Sequence, residues 1–280
     1  MSLVEDQRIL QEKTLVEHYS NRNKHFRDDR ISFEPVSHTY QITSENEDRV
    51  NEDPQTFISA TTIIHKYFPE FDNDAVIQKM MKSPNWKKSP YYGKTIDEIK
   101  NQWEENRVAA AAKGTQVHDW IENFYLGGCI APSKEAEESK SFQNFMNFHN
   151  EYGWMPYRTE WRVFTEKYKV AGSIDIVFEG SEKGKVKVYD WKNSKEIKTE
   201  NRYEKGLEPI GHLPNCNFYH YSLQLNLYKW ILENHYDLKV EEMGLIIVHE
   251  NFPSYLKYEV KDMKKDIELL LNHYKNSSLQ

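Results

Sequence analysis

Two acids and a lysine stand where chemistry would use them. Asp175 lies in Gly172-Ser173-Ile174-Asp175-Ile176, and Asp190 and Lys192 lie in Val188-Tyr189-Asp190-Trp191-Lys192. The spacing predicts two adjacent strands. Residues two apart in a strand share a face, so Asp190 and Lys192 point the same way. Val170, Ile174, Ile176 and Phe178 alternate along the first strand and leave Asp175 on the opposite face. Two carboxylates and an ammonium converging on one sheet face would hold a hard divalent cation beside a cationic group, which suits hydrolysis of a phosphodiester. Acids that merely end strands and meet solvent are the plainer alternative, but that reading leaves the in-register lysine unexplained.

Further positions qualify that reading. His118 and Glu122 are four apart in a predicted helix whose buried stripe is Val117, Ile121 and Phe124. A histidine in such a helix is most often a packing residue, and neutral imidazole is also a common metal ligand beside carboxylates. Glu160 stands on the preceding predicted strand, either facing the same place or as a surface charge. Gln224 and Tyr228 share a helical face, with His220 one turn earlier, over a stripe of Leu223, Leu227, Trp230 and Ile231. The Trp191 carbonyl would add an oxygen ligand, since Mg²⁺ takes about six.

The elements that must position these residues follow from period and punctuation. The first 30 residues read as charged helix over Gln7–His18, then a hairpin from Ile31–Val36 and Thr39–Thr43, a polar loop Ser44–Asp53, and short helices at Ile63–Phe68 and Asp74–Met81. Ser83–Tyr92 reads as loop. Thr95-Ile96-Asp97-Glu98 is a capping box opening a helix through Ala109–Ala112. Gly114 is expected to interrupt it before a second helix, Thr115–Leu126; another helix covers Ser133–Tyr152. Strands follow at Tyr157–Phe164, Lys169–Phe178 and Lys185–Asp190. An irregular link (Asn193–Asn217), a helix (Phe218–Asn234), strands at Met243–His249 and Tyr255–Val260, and a last helix from Asp262 complete the chain. This order predicts an α/β fold with a mixed central sheet flanked by helices. The expected division is an N-terminal extension, residues 1–110, packed on a core of residues 111–280.

Composition narrows the function classes. The 280 residues are 29% charged, with mean hydropathy −0.84 and net charge −7. No run of about 18 apolar residues exists, so no membrane partner is expected. The polar start, Met1–Lys24, does not resemble a secretory signal. Cys129 and Cys216 are too few for a disulfide framework, a four-thiolate zinc site or a cysteine-ligated iron–sulfur cluster, and the expectation is a reducing, intracellular setting. The acidic balance argues against indiscriminate coating of nucleic acid but leaves local patches. One gathers Lys79, Lys82, Lys87, Lys88 and Lys94 among Trp86, Tyr91 and Tyr92. Another gathers Lys183, Lys185, Lys187, Lys192, Lys195, Lys198, Arg202 and Lys205. Cations interleaved with aromatics suit single strands, and a solvated surface is the competing reading of the first patch.

His118, Gly172-Ser-Ile-Asp175, Asp190-Trp-Lys192 and Gln224-Leu-Asn-Leu-Tyr228, in that order, resemble the RecB-like branch of the PD-(D/E)XK nuclease superfamily. That branch includes the RecB nuclease domain, mitochondrial genome maintenance exonuclease and many phage and viral nucleases. The resemblance covers about Gly114–Asn234. It implies a restriction-endonuclease-like core carrying an N-terminal helical and hairpin extension. His118, Asp175, Asp190 and the Trp191 carbonyl would be metal ligands for Mg²⁺ or Mn²⁺, and Lys192 the catalytic lysine. Gln224 and Tyr228 would position the lysine loop or the nucleic-acid backbone, with Glu160, Lys87 and Lys88 supporting. Ile174 replaces the superfamily's naming proline, as is usual in this branch, and the cysteines of the iron–sulfur relatives are missing, so no cluster is expected. The segments His38-Thr39-Tyr40 and Ser59-Ala60-Thr61-Thr62 also look like the N-terminal part of phage nucleases of this type. The implied activity is metal-dependent exonuclease action on single-stranded DNA or DNA ends, in recombination, repair or replication, with recombination or replication proteins as expected partners.

Three alternatives stand beside it. A structure-specific endonuclease would use the same residues. A non-catalytic nucleic-acid binder could retain the fold, although the full set His118, Asp175, Asp190 and Lys192 speaks against a decayed site. An HD-type phosphohydrolase, suggested by His118-Asp119, needs further histidines before the pair and helical acids, whereas the acids here fall on strands.

Overall fold

The computed structural model describes residues 22–37, 39–44, 53–129 and 132–277. The expected helix Gln7–His18 and most of the loop Ser44–Asp53 lie outside them. Backbone contacts divide the chain into two compact units, residues 1–69 with 118–280, and residues 70–117.

The larger unit is built on an eight-stranded mixed sheet. β1 (Ile31–Glu34) and β2 (Thr39–Ile42) form the expected hairpin, and β3 (Gln55–Ser59) adds antiparallel to β2. β4 (Pro156–Thr165), β5 (Val170–Glu179) and β6 (Lys185–Lys192) make the expected antiparallel meander; β7 (Lys239–Ile247) lies parallel to β6, and β8 (Leu256–Glu259) closes the edge. β3 escaped the pattern reading because it is short and places only Phe57 in the core.

Helices cover both sheet faces. On one side α1 (Ala60–His65), α6 (Asn217–His235) and α7 (Lys264–Ser277) bury Ile63, Leu223, Leu227, Ile231 and Leu270 against Val170, Ile174, Val188 and Leu245. On the other, α5 (Lys140–Tyr152) packs Phe145 and Phe148 edge-on against Trp191, at ring separations of 5.4 and 5.5 Å. A short α4 (Lys134–Glu138) precedes α5, so the expected Ser133–Tyr152 helix is broken at Ser139, which ends one helix and caps the next. α3 (Ile96–Leu126) runs without a break through Gly114. A mid-helix glycine costs about 1 kcal/mol relative to alanine, too little to stop a helix whose preceding residues Ala109–Ala112 are the strongest helix formers. The smaller unit consists of α2 (Asn73–Met81), turns with a 3-10 segment at Trp86–Lys88, and the first part of α3.

β5 is the pivot of the sheet. Along one edge it pairs with β4; along the other it pairs with β3 only at Val170 and Ala171, and with β6 only from Ile176 onward. Between those pairings, at Gly172–Asp175, that edge forks. β6 leaves β5 after Tyr189, and Asp190, Trp191 and Lys192 pair with β7 alone. Side-chain alternation also changes sides here. Val170 and Ile174 belong to the cluster under α6, but past Asp175 it is Val177 that continues that cluster, while Phe178 joins the aromatic layer beside Tyr125 and Phe148. The expected single apolar face of Val170, Ile174, Ile176 and Phe178 is therefore split at Asp175.

Gly172 lets α6 approach the fork. A β-carbon there would stand 2.6 Å from Tyr228 Cε1 and 2.8 Å from its hydroxyl. Gly172→Ala is expected to destabilise the protein by about 1–3 kcal/mol in urea unfolding through this overpacking. The loss should shrink in a Tyr228→Ala background, and an equal loss in both backgrounds would contradict the contact.

Candidate active site

The fork gathers the acids. Asp175 Oδ2 accepts the Trp191 N–H at 2.9 Å, so the carboxylate stands in for the ladder bond lost where β6 diverges. Glu160 sits across from Asp175 on β4, between the pairs Thr159–Ile176 and Trp161–Ile174, and adopts φ +42°. Such a left-handed turn within a strand is strained for a non-glycine residue, and strain of this kind gathers at functional sites. The Ser173 hydroxyl donates to Glu160 Oε2 at 3.0 Å and fixes the carboxylate.

His118 closes the site from α3. Its Nε2 lies 2.9 Å from the Trp191 carbonyl, and its Nδ1 lies 3.5 Å from Asp175 Oδ2 and 4.0 Å from Glu160 Oε1. A carbonyl only accepts, so Nε2 donates its N–H, and Nδ1 faces the two acids. This leaves the Trp191 carbonyl as the group that orients the ring, the usual outer partner of a metal-binding imidazole. Ligand atoms of His118, Glu160 and Asp175 all lie within 4.8 Å of one another. Nitrogen and carboxylate oxygen in that grouping fit a hard divalent cation such as Mg²⁺ or Mn²⁺.

Asp190 and Lys192 form the second half. Their Oδ2 and Nζ are 2.7 Å apart, with Asp190 buried, so both side chains do share the side facing α6. Lys192 Nζ also stands 4.5 Å from the centre of the Tyr221 ring. Burial first, then Asp175, pushes the Asp190 carboxyl up to about 6 despite the ammonium of Lys192. Burial, then Asp175 and Glu122, pushes Glu160 up to about 8. Burial works against the charge of Lys192, but Asp190 and Asp175 outweigh it and hold its pKa above the usual lysine value. Glu122 is raised by its own burial and by Asp119. These directions share one origin: carboxylates crowd a poorly solvated spot where they outnumber the positive charges beside them.

Gln224 and Tyr228 meet as their spacing implied. Gln224 Nε2 donates to the Tyr228 hydroxyl at 3.1 Å, and the Tyr228 ring covers Gly172. His220 does not join them; its ring lies tilted against Phe68 at 4.1 Å and 2.9 Å from Asn215 Oδ1. Tyr221 takes that place on the helix, three residues before Gln224 and seven before Tyr228, a spacing readable from sequence once Lys192 is known to need a partner. Lys87 and Lys88 belong to the smaller unit.

The family model of the PD-(D/E)XK nuclease superfamily matches residues 134–276, about half of the chain. The chain belongs to that superfamily. The PD-(D/E)XK match contains Glu160, Asp175, Asp190, Lys192, Gln224 and Tyr228, and His118 precedes it. PD-(D/E)XK nucleases generally use divalent metals, in keeping with the donor set at the fork. No curated protein matches the chain. Among solved structures, the one titled "Crystal structure of SSO0001" is similar at 15% identity and a TM-score of 0.28, over 62% of this chain and 70% of that one.

The acid crowding gives a signed pH effect. The Glu160 carboxyl, at about 8 in the fold against an ordinary 4.5, binds its proton more tightly folded than unfolded. Its contribution is therefore full at the acid end and is lost as pH rises toward 8. In EDTA, Glu160→Gln should gain thermal stability relative to the parent as pH rises from about 5 to about 8. A pH-independent difference between the two would contradict this environment.

Proposed function

We propose that the protein is a divalent-metal-dependent deoxyribonuclease of the RecB-like, phage or viral type, acting as an exonuclease on single-stranded DNA or DNA ends in recombination, repair or replication. One observation carries the reading: His118, Glu160 and Asp175 bring ligand atoms within 4.8 Å of one another beside the Asp190–Lys192 pair. The exonuclease preference and the branch rest on the ordered motifs His118, Gly172–Asp175, Asp190–Lys192 and Gln224–Tyr228.

His118 Nδ1, Asp175 and Glu160 would hold the cation, with Asp190 alongside and the Trp191 carbonyl orienting the imidazole. The bound ion would lower the pKa of an attacking water and neutralise phosphoryl charge. Lys192 supplies a fixed ammonium for the charge that develops on the phosphoryl oxygens during in-line attack. Asp190 aims that ammonium, and the Tyr221 ring face supports it from α6. Tyr228, seated on Gly172, keeps the Asp175 segment against α6, so the acid and the lysine keep a common reference. No helix among the described residues is long and apolar enough to cross a membrane.

The direct test is end-labelled DNA, single- and double-stranded, linear and circular, with Mg²⁺, Mn²⁺ or EDTA. Linear strands should be degraded with metal and spared in EDTA. Asp190→Asn and Lys192→Ala should each lower kcat by about 100-fold or more, the scale of losing a charge-stabilising group. Binding by Asp190→Asn should persist. Undiminished cleavage by either variant would remove the proposed site, and degradation of circles would remove the exonuclease assignment.

A further inference from the structure

From Ala75 to Ile96 the chain carries five lysines and no aspartate or glutamate. Elsewhere its helices neutralise lysines in place, as in the i, i+4 pairs Lys134–Glu138, Lys229–Glu233 and Lys264–Glu268. Here Lys94 donates to Gln102 at 2.6 Å, and Lys79, Lys82, Lys87 and Lys88 are exposed with no acid partner among the described residues. A merely solvated surface has no need to exclude acids over such a length.

The backbone under these lysines is ordered. Trp86 N donates to Ser83 O, Lys88 N to Asn85 O and Ser89 N to Trp86 O, each at 2.9 Å; Tyr92 N donates to Ser89 O and Lys94 N to Tyr91 O, each at 3.0 Å. The Ser83 and Ser89 hydroxyls accept from Asn85 N and Tyr91 N at 3.2 Å. Tyr91 packs edge-on against Trp103 at 6.0 Å, and Trp86 against Tyr92 at 6.1 Å. Tyr92 is nonetheless 54% exposed. The end of α2 and the turns that follow it thus carry ammonium groups without an acid partner among the described residues, and an open aromatic ring, within one unit of the fold.

We propose that this lysine-bearing segment, the end of α2 and the turns after it, is an anchor for a single-stranded polynucleotide made of residues other than the cutting ones, with the lysines on phosphates and Tyr92 stacked on a base. It rests on the nuclease reading for the kind of ligand it takes. Each lysine–phosphate contact on a single strand contributes about 0.7 to the slope of log affinity against log salt.

The test measures binding alone, by fluorescence anisotropy of a labelled oligothymidylate over a salt series, with full-length protein carrying Asp190→Asn. Joint replacement of Lys79, Lys82, Lys87 and Lys88 by Gln should weaken binding and reduce the salt slope by about 3, and replacement of the same four by Arg should restore both. Tyr92→Ala should weaken binding about 5-fold or more on the oligothymidylate and leave binding to an abasic strand of equal length unchanged. A parental slope in the Gln variant, or an equal Tyr92→Ala loss on the abasic strand, overturns the anchor. If the wild type cuts DNA while the slope ignores these lysines, the anchor fails and the nuclease reading stands; if it cuts nothing while the slope falls as stated, the reverse holds.

Discussion

Carboxylates meet at the fork of β5 with too little positive charge to balance them. Asp175 completes the broken ladder through the Trp191 N–H, Glu160 faces it from a left-handed position, and Asp190 is buried beside them. Lys192 is the lysine that pairs with Asp190, and His118 turns Nδ1 toward the other two. Such crowding is unfavourable for ionised groups in a poorly solvated interior, and it persists because the surrounding sheet and helices define the geometry independently. The raised pKa values of Glu160 and Asp190 express that tension. A divalent cation is the species that would relieve it, which is why the local electrostatics and the donor chemistry point the same way.

The supporting residues read as consequences of that constraint. Gly172 has no side chain because Tyr228 occupies its space, Ser173 holds one oxygen of Glu160, and the Trp191 carbonyl fixes the imidazole of His118. Behind them lie apolar layers on both faces, with Trp191 set against Phe145 and Phe148 on one side and Val188 under Leu227 and Ile231 on the other. The strand that presents Asp190 and Lys192 to the fork is thus anchored by the burial of its alternate residues.

Much of this was legible in the chain. Asp190 and Lys192 share a face because a strand repeats every two residues, and Gln224 meets Tyr228 because a helix repeats every three to four. The meander β4–β5–β6 followed from period-2 apolar runs and short glycine-bearing turns. What sequence could not give was non-local. The change of side at Asp175 and the left-handed Glu160 arise where β5 exchanges one edge partner for another, and pairing partners leave no mark on local periodicity. β3 was missed for the same reason, since its pairing with β2 and β5, rather than its own pattern, makes it a strand. Gly114 failed as a helix stop because propensity sums over its neighbours. Sequence puts His220 on the face of Gln224 and Tyr228, and the structure puts its neighbour Tyr221 there, because one residue of helix is about 100° of rotation.

The central claim is that the fork is a cation site assembled by His118, Glu160 and Asp175 next to the Asp190–Lys192 pair. Anomalous diffraction from crystals grown with Mn²⁺ tests it most directly. A manganese peak bonded to His118 Nδ1 and to carboxylate oxygens of Asp175 and Glu160 is the expected result. A peak elsewhere, with the fork holding only water against the same three residues, would contradict it.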